Sequence, residues 1–174
     1  MMTVWTIANQ EAFRSVSDRF GMNRGTAHRC FIEVSKVIRN HIYASLVKWP
    51  TPEECCRNAD AFENSYGFPG CVGCLDGSHI PIKPPAIDRD SYINRKGFPS
   101  VNLMAVCDHT KRFIFTYAER AGSVHDARVF RVTDLGQKAA DNRLFSSNQF
   151  HLLADSAYPL LPQVKPNKFS GVKV

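Results

Sequence analysis

Cys71-Val72-Gly73-Cys74-Leu75-Asp76-Gly77-Ser78-His79-Ile80 is the stretch that decides the fold. Residues 72–75 form a short apolar run that reads as a buried strand. The run stops at one carboxylate, Asp76, and Gly77 then marks a turn. Packing does not explain a carboxylate at the end of a buried strand, because an unpaired buried charge costs several kcal/mol or shifts its pKa. A divalent cation is a candidate for the compensating partner. Two later acids have similar settings, in Ser123-Val124-His125-Asp126 and Leu152-Leu153-Ala154-Asp155. Each acid also has a purely local reading. Asp-Gly forms turns, Asp126 near a helix start complements the helix dipole, and Asp155 before Ser156 caps the next segment.

Downstream of this stretch, His79–Ile82 continues the strand or starts a hairpin arm closed by Pro84-Pro85. Residues 88–99 are polar and read as a loop. Val101–Cys107 predicts a buried strand, and Arg112–Tyr117 an antiparallel return after the turn at Asp108–Lys111. Ser123 caps a predicted helix over about 124–141, and Phe150–Ala154 is a further buried strand ending at Asp155. After Tyr158-Pro159 no element is predicted, which leaves the Phe150–Ala154 strand as an open edge. Three antiparallel strands, a helix and a fourth strand beside the first make an α/β fold of the ribonuclease-H-like kind. In that fold Asp76 and Asp155 lie at neighbouring strand ends, with Asp126 on the first turn of the helix.

Upstream, residues 3–9 read as the end of a helix and Glu11–Phe20 as a second helix, closed by Gly21. Asn23 caps a third, with Ala27, Cys30, Phe31, Val34, Val37 and Ile38 as an apolar stripe. Helix, glycine turn and helix is the helix-turn-helix pattern, which places Arg24, Thr26, His28 and Arg29 where such motifs touch DNA. The plain alternative is a helical hairpin with a solvated basic face. The expected organisation is a helical region over 1–49, a linker over 50–70 and an α/β domain over 71–174. Pro52-Glu53-Glu54 opens a short helix within that linker.

The chain has 174 residues and a net charge of +6. Residues 1–50 carry seven Lys/Arg against three Asp/Glu, residues 51–155 twelve against thirteen, and three lysines with no acid come after Asp155. Basic ends around a near-neutral middle suit a polyanionic partner. No apolar run approaches the ~20 residues of a membrane span, and the N-terminus lacks the features of a signal peptide. Of the six cysteines, Cys71 and Cys74 form one C-x-x-C. In a regular strand these two point to opposite faces and do not chelate one ion. Reduced thiols are the expected state.

Separated acids assembled by a fold suit two-metal phosphodiester chemistry, with hard oxygen ligands holding Mg²⁺ or Mn²⁺. Four segments carry a resemblance: Gly73–Ile80, Tyr92–Lys96, Gly122–Phe130, and Leu153-Ala154-Asp155-Ser156-Ala157-Tyr158-Pro159-Leu160. Together they resemble PIF/Harbinger-type DDE transposases and the Harbinger transposase-derived nucleases. Phe13–Gly21 resembles the helix-turn-helix segment that precedes the family's catalytic domain. The resemblance implies a divalent-metal-dependent nuclease acting on DNA in the nucleus, with the cytoplasm open, alongside a Myb-like DNA-binding partner. It implies Asp76 and Asp155 as catalytic metal ligands and Asp126 as a further acidic ligand. The family's third catalytic acid is a Glu on a later helix, and no acid comes after Asp155 here. A C-terminally truncated nuclease domain is one expectation, an inactive DNA-binding or protein-interaction remnant is another, and a non-functional truncated product is a third.

Overall fold

The computed structural model describes residues 1–9 and 11–166. The chain divides into two compact units, Met1–Val47 and the part from Lys48 onward. The expected lysine-rich end at 167–174 lies outside the described residues.

The first unit is helical. It comprises α1 (Met2–Ala8), α2 (Phe13–Arg19) and α3 (Arg24–Val37), which runs on through a π-helical turn at Ile38–Ile42 into α4 (Tyr43–Leu46). Gly21, at φ +61°, reverses the chain after α2. The Asn23 side chain then accepts a hydrogen bond from the Gly25 amide at 2.7 Å and starts α3. The small core is Met2, Val16 and Ala27, flanked by Phe13, Phe20 and Met22. Of the apolar stripe expected on α3, only Ala27 is buried, and Val34 and Val37 are 41% and 52% exposed. Two seven-residue helices supply too little surface to cover a fourteen-residue one.

The second unit is built on a five-stranded mixed sheet in the order β3-β2-β1-β4-β5. The strands are β1 (Cys71–Pro81), β2 (Ser100–Cys107), β3 (Phe113–Ala121), β4 (His151–Ala154) and β5 (Val164–Pro166). The first three form an antiparallel meander. β4 returns parallel to β1 after the helices α6 (Asp126–Val132) and α7 (Asp134–Ala140). This is the ribonuclease-H-like order read from the sequence. Val72, Leu75, Met104, Val106, Val129, Phe130 and Leu152 are among the buried residues of its main core.

Five details depart from the sequence reading. First, β1 makes no turn at Gly77, and of the two readings of His79–Ile82 the continuation of the strand holds. β1 continues to Pro81, paired with β2 as far as Ser100. The parallel partner is the strand that ends beside Asp76, since β4 stops opposite Leu75, at Ala154. Second, the pairing of β1 with β4 shifts register between Cys71 and Gly73, the signature of a bulge. The bulge breaks the strict alternation, so Cys71 and Cys74 share one apolar cluster with Phe62, Phe68 and Leu153 instead of facing opposite ways. The Cys71 thiol donates to the Gly73 carbonyl at 3.6 Å, and the neighbouring Cys74 thiol together with burial pushes the Cys71 thiol up. All six cysteines are free thiols.

Third, the single helix expected over 124–141 breaks at Thr133, whose backbone is extended (φ −88°, ψ 155°). Its hydroxyl donates to the Phe130 carbonyl at 2.7 Å and accepts from the Gly136 amide at 3.1 Å, closing one helix and opening the next. Fourth, β5 covers β4, so the predicted open edge is paired. Fully buried Gln163 fastens this segment: its side-chain oxygen accepts from Leu144 and Phe145 amides at 2.7 and 3.2 Å, and its amide donates to the Phe145 carbonyl. Fifth, the segment expected as a linker carries α5 (Pro52–Tyr66), which opens on a capping box between Thr51 and Glu54 and ends at Gly67 with φ +72°. Cys55 and Ala59 enter the main core and Phe62 the cluster around Cys71, so α5 is packed structure. Trp49 stacks on Phe145 at 5.4 Å and belongs with this unit.

Candidate active site

Three elements of the second unit bring the predicted acids to one place. Leu75 is buried at 2% exposure, and Asp76, the next residue, is exposed. The β1 backbone thus carries its side chains out of the core where β4 stops. Asp155 comes directly after Ala154, the β4 residue paired with Leu75, so the two acids leave neighbouring strands side by side. Asp126 opens α6 and is half-buried.

Each carboxylate is held at one oxygen. Asp76 Oδ1 accepts from the Gly77 amide at 2.7 Å. Asp155 Oδ1 accepts from the amide and hydroxyl of Ser156. Asp126 Oδ1 accepts from Asn102 Nδ2 at 2.7 Å, and the same Asn102 amide donates to the Val124 carbonyl at 3.2 Å. Asn102 is only 1% exposed, so β2 clamps the turn before α6 from inside the sheet. Gly77 is also part of this arrangement. A Cβ there would lie 2.7 Å from Asp126 Oδ1, so the absence of a side chain lets the acid approach β1.

This crowding sets the electrostatics. Partial burial, followed by the negative charges of Asp155 and Asp126, raises the Asp76 carboxyl above its ordinary range, against the pull of the Gly77 amide. None of the three acids has an ion-pair partner among the described residues. Tyr158 turns back over the site through its amide bond to the Asp155 carbonyl at 3.0 Å, and its ring meets Phe130 edge to face. Its hydroxyl is buried without a hydrogen-bond partner among the described residues. Burial, then the fields of Asp126, Asp76 and Asp155, hold that phenol protonated.

Among the described residues, no three His, Cys, Asp or Glu side chains form a ready-made metal cage. The donor set itself is nevertheless that of a hard divalent cation: clustered, mutually repelling oxygen ligands with no ion-pair partner among the described residues. The residues fit such an ion chemically, and ligation requires the carboxylates to draw together.

The sequence reading located Asp76, Asp126 and Asp155, and the fold makes them neighbours. It passed over Asn102 and Tyr158. The signal for Asn102 was present, as the lone amide in the apolar run Val101–Cys107. Arg24, Thr26, His28 and Arg29 belong to the first unit, where all four are exposed on the N-terminal part of α3. His28 also packs edge to face on Phe13 at 5.1 Å.

A mixed sheet with three acids where β1 outruns β4 defines a class, and comparison with known proteins agrees. The DDE superfamily endonuclease family matches residues 75–171, more than half of the chain, and the chain belongs to that family. Among individual proteins it is similar to "Putative nuclease HARBI1" of Xenopus laevis, at 28% identity over 151 residues covering 84% of this chain and 42% of that protein. The HARBI1 protein of Homo sapiens is 27% identical over 124 residues, 71% of this chain and 35% of its own length. "Protein ALP1-like" of Arabidopsis thaliana is 27% identical over 172 residues, 90% of this chain and 41% of its own length. The chain thus spans less than half the length of these curated relatives. No solved structure matches it. The Harbinger-type DDE resemblance read from the motifs is borne out. No described helix is long and apolar enough to cross a membrane.

Proposed function

We propose that this chain carries the catalytic centre of a transposase-derived nuclease that cuts DNA phosphodiesters with a divalent cation, Mg²⁺ or Mn²⁺. The observation that supports this most is the grouping of Asp76, Asp155 and Asp126 without an ion-pair partner among the described residues. Asp76 and Asp155 would hold the metal, with Asp126 as a further ligand fixed by Asn102. When bound, such ions supply a nucleophilic hydroxide and stabilise the leaving oxygen. The chain's own residues do the rest. The course of β1 through Asp76 and the end of β4 beside it fix the spacing of two acids. Asn102 orients the third, and Tyr158 closes the apolar side of the site with a protonated hydroxyl.

On this reading the exposed start of α3 contributes DNA contacts through Arg24, Thr26, His28 and Arg29. Action in the nucleus beside a Myb-like DNA-binding partner belongs to the same proposal. A second reading keeps DNA binding and drops cleavage, and it is favoured by the absence of a closed acidic cage among the described residues.

The test is nicking of supercoiled plasmid by the 174-residue chain with Mg²⁺ or Mn²⁺. Metal-dependent nicking abolished by Asp76→Asn and by Asp155→Asn supports the nuclease. Intact plasmid, with salt-sensitive DNA retention that is lost in Arg24→Ala/Arg29→Ala, supports the second reading.

A further inference from the structure

A cavity of about 310 Å³ opens beside the acids, lined by His79, Arg95, Ser123, His125, Asp126 and Ala157 among others. We propose that it seats a sugar-phosphate of the DNA strand, next to the phosphodiester that lies at the acids. This inference rests on the nuclease reading and names the part of the substrate that this second site takes.

The chemistry of the lining selects the ligand. The acid cluster offers only carboxylates, whereas the residues lining this cavity include an arginine, two histidines and a serine beside a single acid, Asp126. Guanidinium forks match phosphate oxygens and bind them with charge-assisted hydrogen bonds. Arg95 has no carboxylate partner among the described residues and is exposed to an incoming ligand.

The walls are held by buried polar groups. Arg95 comes after Asn94, which is 4% exposed and directs a closed turn. Asn94 Oδ1 accepts from the Lys96 amide at 2.9 Å, and the Asn94 carbonyl accepts from the Gly97 amide at 2.9 Å. Asn94 Nδ2 donates to Ser100 Oγ at 2.8 Å. Fully buried Ser100 ties the other sides together. Its hydroxyl lies 3.3 Å from His79 Nδ1, and its carbonyl accepts from the Gly122 amide at 2.8 Å. A side chain at Gly122 would collide with Ser100, so the 122–127 wall lies directly on β2. Asn102, two residues on, holds that same wall through Val124 and Asp126. Buried polar networks of this kind fix geometry where their members are paired, as Asn94 and Ser100 are, while the Asn102 side-chain oxygen is buried without a hydrogen-bond partner among the described residues.

Position gives the last argument. Asp126 lines both the cavity and the acid cluster, and Ala157 lies two residues beyond Asp155. A strand whose phosphodiester reaches the acids therefore runs on into this cavity. The volume is at the small end for ligand sites, suited to one sugar-phosphate unit.

The experiment is fluorescence anisotropy of a labelled DNA duplex with the full chain in Ca²⁺, at several salt concentrations. Arg95→Ala should weaken binding about tenfold and lower the salt slope by about one. Arg95→Lys should keep the slope and recover only part of the affinity. Arg57→Ala, on the exposed face of α5, should change neither. Unchanged affinity and slope in Arg95→Ala, or no DNA binding by the parent chain, overturns the proposal. Loss of inorganic phosphate binding in Arg95→Ala with DNA binding intact also overturns it, because the cavity would then serve the free ion. Asp76→Asn keeps the two readings apart. It should abolish nicking and leave the Arg95-dependent slope in place. Nicking that survives Asp76→Asn sinks the nuclease reading, and an Arg95-independent slope sinks the cavity.

Discussion

Adding one methyl group at Gly77 should displace Asp126. The new Cβ would stand 2.7 Å from Asp126 Oδ1 and 2.8 Å from its Cγ, where ordinary contact begins at 3.4 Å. The carboxylate must therefore retreat by roughly 0.7 Å, the difference between those two distances. Its bond from Asn102 Nδ2, now 2.7 Å, would be stretched beyond good geometry. A hydrogen bond to a charged group contributes about 1.5–3 kcal/mol. Gly→Ala recovers roughly 0.4–1 kcal/mol by restricting the unfolded chain. The two together give a net loss of roughly 0.5–2.6 kcal/mol, centred near 1.5. Urea unfolding reads it as a lower midpoint at unchanged slope.

The diagnostic is coupling. Gly77→Ala combined with Asp126→Ala should cost less than the sum of the single changes by about 1–2 kcal/mol, because the clash no longer exists. Combined with Asp155→Ala, it should be additive to within about 0.5 kcal/mol. Plasmid nicking, where present, should fall about a hundredfold for a displacement of this size. A Gly77→Ala protein as stable as the parent and additive with Asp126→Ala would refute the placement of Asp126 against β1.

Four other perturbations draw on the same structure. Burial, then the charge of Lys165, lowers His151 to about 4 from its ordinary 6.5; the unfolded chain takes up that proton first, so stability held above about pH 6.5 is lost towards pH 4, by up to about 3 kcal/mol. Melting curves across that window should show the slope, and His151→Leu should flatten it. Thr51→Ala removes half of the capping box on α5 and should cost about 1 kcal/mol in chemical denaturation. Tyr158→Phe deletes a buried hydroxyl that has no partner among the described residues and should leave metal-free stability unchanged or up to about 1 kcal/mol higher; a clear loss would mean that the hydroxyl is bonded. Mn²⁺ at a hundred times its dissociation constant should raise stability by about 2.7 kcal/mol in calorimetry, and that gain should vanish in Asp76→Asn/Asp155→Asn.

The acids were legible in the sequence because each breaks a local pattern. Asp76 and Asp155 each end an apolar run, and Asp126 opens a predicted helix, although the N-cap is His125, with no side-chain cap, and not the expected Ser123. The strand order was legible for a related reason, since β2, β3 and β4 are short apolar runs bounded by turn residues. The features that were not legible depend on partners that are remote in sequence. The bulge at Cys71–Gly73 exists only in the pairing with β4, so strict alternation misplaced two thiols. The break at Thr133 depends on a hydroxyl bridging two helix ends, which periodicity does not register. β5 is three residues long and is fastened by Gln163, whose bonds reach back to residues 144 and 145.

The same distinction separates the reactive residues of the candidate site from the residues that position them. A carboxylate in an apolar setting is conspicuous in one dimension. Asn94, Ser100 and Asn102 read as ordinary polar residues until the register of β1 on β2 sets His79 opposite Asn102 and brings Ser100 within reach of the His79 ring. From β2 and the turn before it these residues hold both walls of the cavity and, through Asn102, one of the three acids. The site is therefore best perturbed from β2. A change at Asn102 should move Asp126 and the 122–127 wall together, whereas a change at Asp155 should leave the cavity as it is.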